Sequence, residues 1–288
     1  MNEAMFWREA GNGTVRCALC PHNCKIAEGS PGLCGVRRNT AGKLYAESYG
    51  RVSAIALDPI EKKPLYMFRP GRRVLSIGGF GCNLRCPFCQ NSDISMEYAK
   101  AWRSAETLAP EGVAALAVET VPDGNIGVAY TYNEPLIGYE FLYGCARCIH
   151  EAGLCNVLVT NGYVNREPLE ALLSLIDAMN IDLKGFTQAF YKKLGGGLEA
   201  VQETIALARQ GCHVEVTTLV IPGENDSEEE IAALARWLAS LDPGIPLHLT
   251  RFFPRYQYAG RAAAPRGTIW RLRDVAGKYL KNVFAGNI

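Results

Sequence analysis

The chain has 288 residues, of which 48% are hydrophobic and 20% are charged, so it can bury a large core and lacks the composition of a disordered protein. Thirty basic residues nearly balance 29 acidic ones, which excludes long-range attraction to nucleic acids or anionic membranes, and we expect neither as a partner. There is no signal-peptide pattern and no apolar run of about eighteen residues, so we expect a cytoplasmic protein. Eleven cysteines in such a chain favour metal ligation over a disulfide scaffold.

Four of these cysteines lie near the start of the chain, in a stretch rich in glycine and proline. Cys17, Cys20, Cys24 and Cys34 have the spacing C-x2-C-x3-C-x9-C. A segment with so little apolar content needs a metal to hold a fold. The spacing fits a zinc site, an auxiliary iron–sulfur cluster, or reduced cysteines that bind no metal. We predict that residues 1–70 form a small cysteine-rich module.

Two short runs typical of β-strands follow in the same module. Residues 43–48 and 51–57 flank a turn at Tyr49-Gly50 and predict a β-hairpin. Residues 58–65 then place a charged run between Pro59 and Pro64, which predicts an extended connector. This connector is either a solvated linker or a lip over a functional site.

A predicted strand over residues 74–80 leads into a glycine-rich loop that carries three more cysteines. Cys82, Cys86 and Cys89 have the spacing C-x3-C-x2-C. A structural zinc site takes four ligands and an iron–sulfur cubane takes one cysteine per iron, so three cysteines leave one coordination position open. The glycines of residues 78–81 let the backbone approach a bulky cluster. The alternatives are a zinc knuckle and three unrelated buried cysteines.

With Phe88 directly before the third cysteine, this loop resembles the signature of the radical S-adenosylmethionine (SAM) superfamily. The resemblance implies a 4Fe–4S cluster on Cys82, Cys86 and Cys89, whose open iron chelates the amino and carboxylate groups of SAM. It also implies that an electron from the reduced cluster cleaves SAM and releases a 5'-deoxyadenosyl radical. We therefore expect an electron donor, such as ferredoxin or flavodoxin, as a partner.

Beyond this loop, apolar runs alternate with amphipathic segments. This alternation predicts an α/β fold in which residues 71–288 form a partial (β/α)6 TIM-like barrel. Ser227 begins a capping box, and Gly153 and Gly211 follow helical patterns as C-terminal caps. The predicted strands are 74–80, 126–132, 156–160, 178–183, 213–221 and 246–252, and the predicted helices are 110–120, 136–152, 166–176, 198–210 and 227–241.

Polar residues follow the predicted strands, where a parallel barrel builds its active site. Glu134 can accept from the ammonium of a bound amino acid, and Lys184 can pair with its carboxylate. Asp182 can bind a ribose hydroxyl, a cation or the ammonium. The aromatic Phe88 and the edge at residues 220–222 can flank an adenine. The predicted cofactor-binding residues are Phe88, Asn133, Glu134, Thr160, Asn161, Asp182 and Lys184.

The remaining cysteines and histidines need a separate interpretation. We interpret Cys145, Cys148, Cys155 and Cys212 as small buried hydrophobic residues; the alternative is an extra metal site at Cys145 and Cys148, which share one helical face. We expect His150, His213 and His248 to be packed or exposed rather than metal ligands.

The resemblance extends over nearly the whole chain to the radical enzymes of the AmmeMemoRadiSam system, within the group similar to the pyruvate formate-lyase activating enzyme. It implies the same partial (β/α)6 barrel. Activating enzymes often carry Gly-Gly-Glu where this chain has Tyr132-Asn133-Glu134, so only the glutamate carries over. Relatives often continue past the residues that resemble 284–288 into a cysteine-containing tail; this chain stops there, so it either lacks the tail or is cut short. The motifs are 20–24, 32–37, 58–64, 86–91, 131–135, 160–163 and 182–184.

Three functions remain open at this point. The first is a radical SAM oxidoreductase acting on an unidentified substrate, for which a protein is one candidate. The second is a glycyl-radical-enzyme activase, which a basic C-terminal tract over residues 251–281 can help to dock. The third is a non-catalytic iron–sulfur or zinc protein, against which the polar residues at the strand ends speak.

Overall fold

A parallel sheet covered by helices organises the molecule in the computed structural model, which describes residues 2–103 and 105–288. Its eight strands are ordered β16-β15-β14-β13-β12-β11-β9-β8, and all neighbours are parallel except the β8–β9 pair. Most of these strands are nearly continuous runs of buried residues, as expected when both faces of a sheet are covered. The strands are β8 Ala54–Pro59, β9 Arg73–Gly78, β11 Asn125–Thr131, β12 Cys155–Thr160, β13 Ala178–Asp182, β14 His213–Val220, β15 Leu247–Arg251 and β16 Val283–Gly286.

The six predicted strands and the partial barrel are confirmed, and each edge of the sheet carries one strand more than predicted. At one edge, Val283–Gly286 extends the parallel sheet by pairing with β15. At the other edge, Ala54–Pro59 runs antiparallel to β9, so a segment expected in the N-terminal module belongs to the barrel sheet.

Helices connect consecutive strands and cover the outer face of the sheet. The Ser227 side chain accepts from the Glu230 backbone N–H, as predicted for a helix N-cap, but the Glu230 carboxylate accepts from Phe186 N instead of closing a capping box. Gly153 follows a helix with φ +70°, whereas Gly211 is the last residue of its helix. The helices are α1 Ser92–Ser95, α2 Ala99–Arg103, α3 Pro110–Glu119, α4 Tyr139–Glu151, α5 Arg166–Leu173, α6 Gln188–Lys193, α7 Leu198–Gly211, α8 Glu228–Leu241 and α9 Arg266–Ala276.

Short strands build the N-terminal region into two small antiparallel sheets, β1-β6-β5 and β2-β3-β4. A further pair joins β7 to β10, which lies beyond the cysteine loop. These strands are β1 Asn2–Glu3, β2 Trp7–Glu9, β3 Val15–Cys17, β4 Lys25–Ile26, β5 Arg37–Thr40, β6 Lys43–Ala46, β7 Arg51–Val52 and β10 Glu106–Thr107.

The predicted hairpin around Tyr49-Gly50 is wrong. Its first run forms β6, which pairs with β5 and β1, and most of its second run forms β8, which pairs with β9. Gly50 has φ +73°, and a Cβ at this position would lie 2.7 Å from the Leu108 carbonyl oxygen. The chain therefore turns against the β10 segment at this glycine, rather than folding back on β6.

The N-terminal region and the barrel share one apolar core. The main cluster of buried side chains includes Ala4, Val15 and Leu44 together with barrel residues as far along the chain as Leu280. A buried ion pair crosses the same boundary, because Arg37 Nη1 of β5 lies 3.0 Å from Glu140 Oε1 of α4.

Residues 60–67, here called the strap, run inside the barrel. Ile60 and Leu65 pack against Val74, Val157 and Ala178, which lie near the N-terminal ends of their strands. The strap begins with a 3-10 helix, Ile60–Lys62, rather than the extended connector predicted here. It therefore fills the lower part of the barrel.

No helix in the part of the chain that the structure describes is both long and apolar enough to cross a membrane.

Candidate functional site

A cleft of about 350 Å³ opens at the C-terminal ends of the parallel strands. This size lies in the range of small-molecule and cofactor sites. The cleft brings together the three loop cysteines and all seven of the predicted cofactor-binding residues, which come from four strand ends. The sequence-predicted residues in its lining are Cys82, Phe88, Cys86, Cys89, Asn133, Glu134, Thr160, Asn161, Asp182 and Lys184.

The cysteine loop leaves β9 and presents thiols to this cleft. The Leu84 N–H donates to Cys82 Sγ over 3.4 Å, and Asn161 Nδ2 lies 3.6 Å from the same sulfur. Burial raises the pKa of Cys86 to about 12, and burial with the nearby Glu134 charge raises that of Cys82. Buried thiols with N–H donors at the sulfur fit an iron–sulfur group, which accepts such bonds and displaces the thiol protons when it binds.

Glu134 is buried at the end of β11, and the protein holds both of its carboxylate oxygens. Oε1 accepts from Thr160 Oγ1 over 2.8 Å and from Leu136 N over 3.0 Å, and Oε2 accepts from Asn161 N over 2.7 Å. Burial outweighs these hydrogen bonds and raises the pKa of Glu134 to about 7. A cation beside this carboxylate would favour its ionised form.

Asp182 and Lys184 face the thiols from the end of β13. Lys184 Nζ lies 2.7 Å from Asp182 Oδ2. Burial alone would lower the pKa of Lys184, but the Asp182 carboxylate and then the Cys86 thiolate raise it. The lysine therefore stays charged, and the pair presents one anion and one cation to the cleft.

The amide and hydroxyl side chains in the lining mainly position their neighbours. Asn133 accepts from Gly79 N over 2.9 Å and donates to Gly81 O over 3.1 Å, which braces the glycine loop. Asn161 donates to Asn83 Oδ1 over 2.9 Å, and Asn83 follows Cys82 directly. The carboxyl ends of two strands thus fix the loop that carries the cysteines.

Phe88 is buried and lies parallel to Phe190, with ring centroids 6.2 Å apart. Its ring also lines the cleft. The other expected adenine contact is not placed there, because Val220 and Ile221 pack in the main core, whereas Leu219 lines the cleft. Side chains alternate along a strand, so the residue before Val220 takes the inward position.

Comparison with known proteins identifies the family. Residues 76–235 match the protein family described as the Radical SAM superfamily, and this match spans more than half of the chain. The chain belongs to the radical SAM superfamily.

Relatives of this radical SAM enzyme include an uncharacterized protein of Methanocaldococcus jannaschii, MJ0808. The two are 40% identical over 100% of this chain and 86% of that protein. The pyruvate formate-lyase 1-activating enzyme of Escherichia coli K12 is 26% identical over 54% of this chain and 65% of the enzyme. These matches confirm the predicted superfamily and the predicted similarity to activating enzymes.

A solved structure agrees with the fold. The radical SAM chain superimposes on Streptococcus suis SuiB bound to precursor peptide SuiA with a TM-score of 0.55. The two chains are 13% identical, and the match covers 72% of this chain and 46% of SuiB. At this identity the likeness concerns the fold alone.

The radical SAM cleft also contains residues that were not among the predicted site residues. Lys62, Lys63 and Pro64 of the strap line it from inside the barrel, so this segment is neither a solvated linker nor a lip over the cleft. Tyr132 lines it with φ +73°, an uncommon conformation for a residue with a Cβ. The charged run between two prolines, and a bulky residue where activating enzymes often have glycine, were the signals available in the sequence.

The N-terminal cysteines of this radical SAM enzyme lie around a second, small cavity. Cys17, Cys20, Cys24 and Cys34 line a space of about 10 Å³ beside Arg37. Burial raises the pKa of Cys20 to about 12. Among residues 2–103 and 105–288, no three His, Cys, Asp or Glu side chains are arranged to hold a metal ion.

The remaining cysteines, together with His150, His213 and His248, lie outside both cysteine sites. Every cysteine is a free thiol in this structure. Cys145 packs in the main core, and His150 is exposed. His213 and His248 both contact the buried Glu215, at 2.9 Å and 2.6 Å, on the inner face of the barrel.

Proposed function

We propose that this radical SAM enzyme cleaves SAM reductively at a 4Fe–4S cluster on Cys82, Cys86 and Cys89 and abstracts hydrogen from a substrate. The observation that carries the proposal is the shared cleft, which places the three thiols beside Glu134, Asp182 and Lys184. When bound, the cluster and SAM would supply a 5'-deoxyadenosyl radical. The residues of this chain would hold and orient these two groups.

Glu134 would hold the ammonium of SAM. Its carboxylate is already fixed by Thr160, Leu136 and Asn161, so it would bind a cation without reorganising. A bound ammonium would also supply the positive charge that the buried carboxyl lacks. The raised pKa of Glu134, about 7, fits a carboxylate that waits for such a partner.

Asp182 and Lys184 would orient the polar ends of SAM, and Phe88 would shield its apolar part. Lys184 keeps its charge next to Asp182, so it can pair with the SAM carboxylate, while Asp182 can accept from a ribose hydroxyl. The Phe88 ring lines the cleft, and in the sequence Phe88 lies between Cys86 and Cys89. We assign Asn133, Thr160 and Asn161 to positioning the loop and Glu134.

Glycyl-radical activation is the second candidate. The similarity to pyruvate formate-lyase 1-activating enzyme favours it. Tyr132-Asn133 in place of two glycines distinguishes this cleft from the motif that activating enzymes often carry. We further propose, from the sequence motifs, membership of the AmmeMemoRadiSam group and reduction by a ferredoxin or flavodoxin in a reducing cytoplasm.

We also propose a metal centre at the N-terminal cysteines. Four free thiols around one cavity, with the Arg37 guanidinium beside them, support a site whose thiolates carry negative charge. The small size of the cavity favours zinc over an auxiliary iron–sulfur cluster. Zinc and iron measured on the Cys82→Ala/Cys86→Ala/Cys89→Ala variant distinguish the two, because only the N-terminal site remains.

The decisive test is anaerobic reconstitution with iron and sulfide, followed by dithionite and SAM. We expect 5'-deoxyadenosine to form, to disappear in Cys86→Ala, and to persist in the matched control Cys148→Ala, whose thiol lies outside both sites. A loaded cluster without product would support the non-catalytic alternative. A glycine-centred radical signal on a partner protein would identify the activase.

A further inference from the structure

We infer that the inner end of the cleft, where Lys63 meets Asp58 and Tyr132, binds an oxyanion carried by the substrate, an inference that rests on the proposed function. The oxyanion is a carboxylate or a phosphate group. The inference assigns a binding role to the strap. None of the residues proposed to hold the cluster and SAM lies in this segment. Those residues come from the loop after β9 and from the ends of β11, β12 and β13.

The position of Lys63 follows from the packing of the strap. Ile60 and Leu65 are buried among residues near the N-terminal ends of the strands, whereas the cleft opens at the C-terminal ends. Lys63 lies between these two anchors and lines the cleft, so it approaches the cleft from inside the barrel. Its side chain is only 3% exposed, which is rare for a lysine without a function or a full set of partners.

The hydrogen bonds of Lys63 are incomplete. Nζ donates to Asp58 Oδ2 over 2.9 Å and lies 4.6 Å from the centre of the Tyr132 ring. An ammonium has three N–H donors. Within the described residues, Asp58 is the one hydrogen-bond acceptor for Lys63 Nζ. A buried ammonium with spare donors beside an open cleft favours an acceptor that enters from the cleft.

The charges at this end of the cleft leave a positive excess. Asp58 accepts from Lys63, from Lys62 over 3.1 Å and from the Tyr132 hydroxyl over 2.8 Å, so one carboxylate meets two lysines. Burial alone would raise the pKa of Asp58, but these donors outweigh it and hold the pKa well below its ordinary value. The carboxylate is therefore ionised and balances one of the two lysine charges, while the second, on the mostly exposed Lys62, lies at the same end of the cleft.

Asn180 fixes the strap where it reaches the cleft. It donates from Nδ2 to Pro64 O over 2.8 Å and to Thr217 Oγ1 over 2.9 Å, and both partners line the cleft. The strap therefore holds Lys63 in a defined position beside the cleft.

The backbone at Tyr132 is a further independent sign of function. Its φ of +73° costs on the order of 1 kcal/mol or more for a residue with a Cβ. The conformation places the hydroxyl on Asp58 and the ring against Lys63. A strained residue that orients a buried ion pair at a cleft is typical of a binding site rather than of a strand end.

The test measures oxyanion binding rather than turnover. Thermal unfolding of the reconstituted holoenzyme, first without and then with SAM, is followed under anaerobic conditions in phosphate, in acetate and in chloride at matched ionic strength. We expect one of the two oxyanions to raise the melting temperature along a saturating curve, since a ligand that binds the native state stabilises it. The oxyanion that saturates the rise in melting temperature at the lower concentration is the group that the site prefers, phosphate or carboxylate. The general stabilisation by salts that are excluded from the protein surface does not saturate, so it is distinguishable from binding.

The variant Asp58→Asn/Lys63→Met removes both charges together, so no unpaired buried ion is left to prevent folding. It should bind the oxyanion at least tenfold more weakly, while Lys43→Gln, an exposed lysine far from the cleft, should match the wild type. Equal saturation in the double variant overturns the inference. Loss of the saturating curve when SAM is added also overturns it, because the site would then hold the SAM carboxylate. Either result leaves 5'-deoxyadenosine formation by the wild type, and hence the proposed function, intact.

Discussion

His22 Nε2 lies 2.7 Å from the backbone carbonyl oxygen of Asn83, the residue that follows Cys82 in the cysteine loop. His22 sits between Cys20 and Cys24, and its ring also packs edge-on against Tyr163. The Asn83 side chain in turn donates to Tyr163 O and accepts from Asn161. His22 and Asn83 therefore link the N-terminal cysteines directly to the cysteine loop.

We expect His22→Ala to loosen the cysteine loop. The lost hydrogen bond is worth about 1 kcal/mol, so iron should be held roughly fivefold more weakly against a competing chelator. The measurement is iron retained per protein as the chelator is added. His150→Ala, at an exposed histidine, should retain wild-type values. Unchanged iron retention in His22→Ala would contradict the bridge.

Glu134→Gln should weaken SAM binding by at least tenfold and destabilise the fold by about 1–3 kcal/mol. A glutamine amide cannot accept at both ends, so its NH2 group would oppose either the Asn161 N–H or the Leu136 N–H. Equilibrium binding of SAM and urea unfolding check the two effects separately. The exposed Glu119→Gln is the matched control, and full SAM affinity in Glu134→Gln would refute the proposed contact.

Glu215 should make stability depend on pH in the acid range. Burial alone would raise its pKa, but hydrogen bonds from His213 and His248, with the Met67 and Tyr66 N–H groups, lower it from 4.5 to about 2. A lowered carboxyl pKa gives stability that is present above the unfolded value and lost as the pH falls from about 4.5 towards 2. The loss amounts to about 3 kcal/mol over that window.

Urea unfolding of the metal-free protein over this pH range tests the Glu215 prediction. Glu215→Gln should be less stable near neutral pH and should lose this part of the acid dependence, because the amide does not titrate. Glu203→Gln, at an exposed carboxylate, should keep the wild-type curve. A Glu215→Gln curve parallel to that of the wild type would show that other carboxyl groups carry the effect.

The buried Arg37–Glu140 pair gives a fourth prediction. Both side chains are almost fully buried, at 1% and 4% exposure, and Met5 N also donates to Glu140. Glu140→Leu alone leaves an unpaired guanidinium in the interior and should cost about 3–5 kcal/mol. Arg37→Met/Glu140→Leu should recover most of that loss in thermal unfolding. If the single and double variants melt alike, burial of the arginine charge is not the cause.

Much of the barrel was predictable because its strands are apolar runs that end in polar residues. The end of β11 shows this well, since Thr131 is followed by Glu134, and the parallel topology brings that glutamate to the cysteine loop. In a parallel barrel the C-terminal ends of all strands lie on the same side. Residues that follow different strands can therefore be assigned to one site without knowing which of them are in contact. The same logic failed for β16, where Val283–Gly286 is short and only half-buried.

The burial of the Asp58–Lys63 ion pair could not be predicted from composition. The two residues lie in a charged run typical of a solvated segment, yet both are buried because they form an ion pair. Tyr132, which is distant in sequence, donates to Asp58 and helps to bury the pair, so no local sequence pattern predicts this burial. Glu215 is similar, since its partners His248 and Tyr66 come from a neighbouring strand and from the strap.

The shared apolar core has a consequence for how the protein is made. Ala4 and Leu280 belong to one cluster, so this core is complete only when the C-terminal residues have been synthesised. The N-terminal region is therefore made first, but it cannot finish its packing as an independent unit.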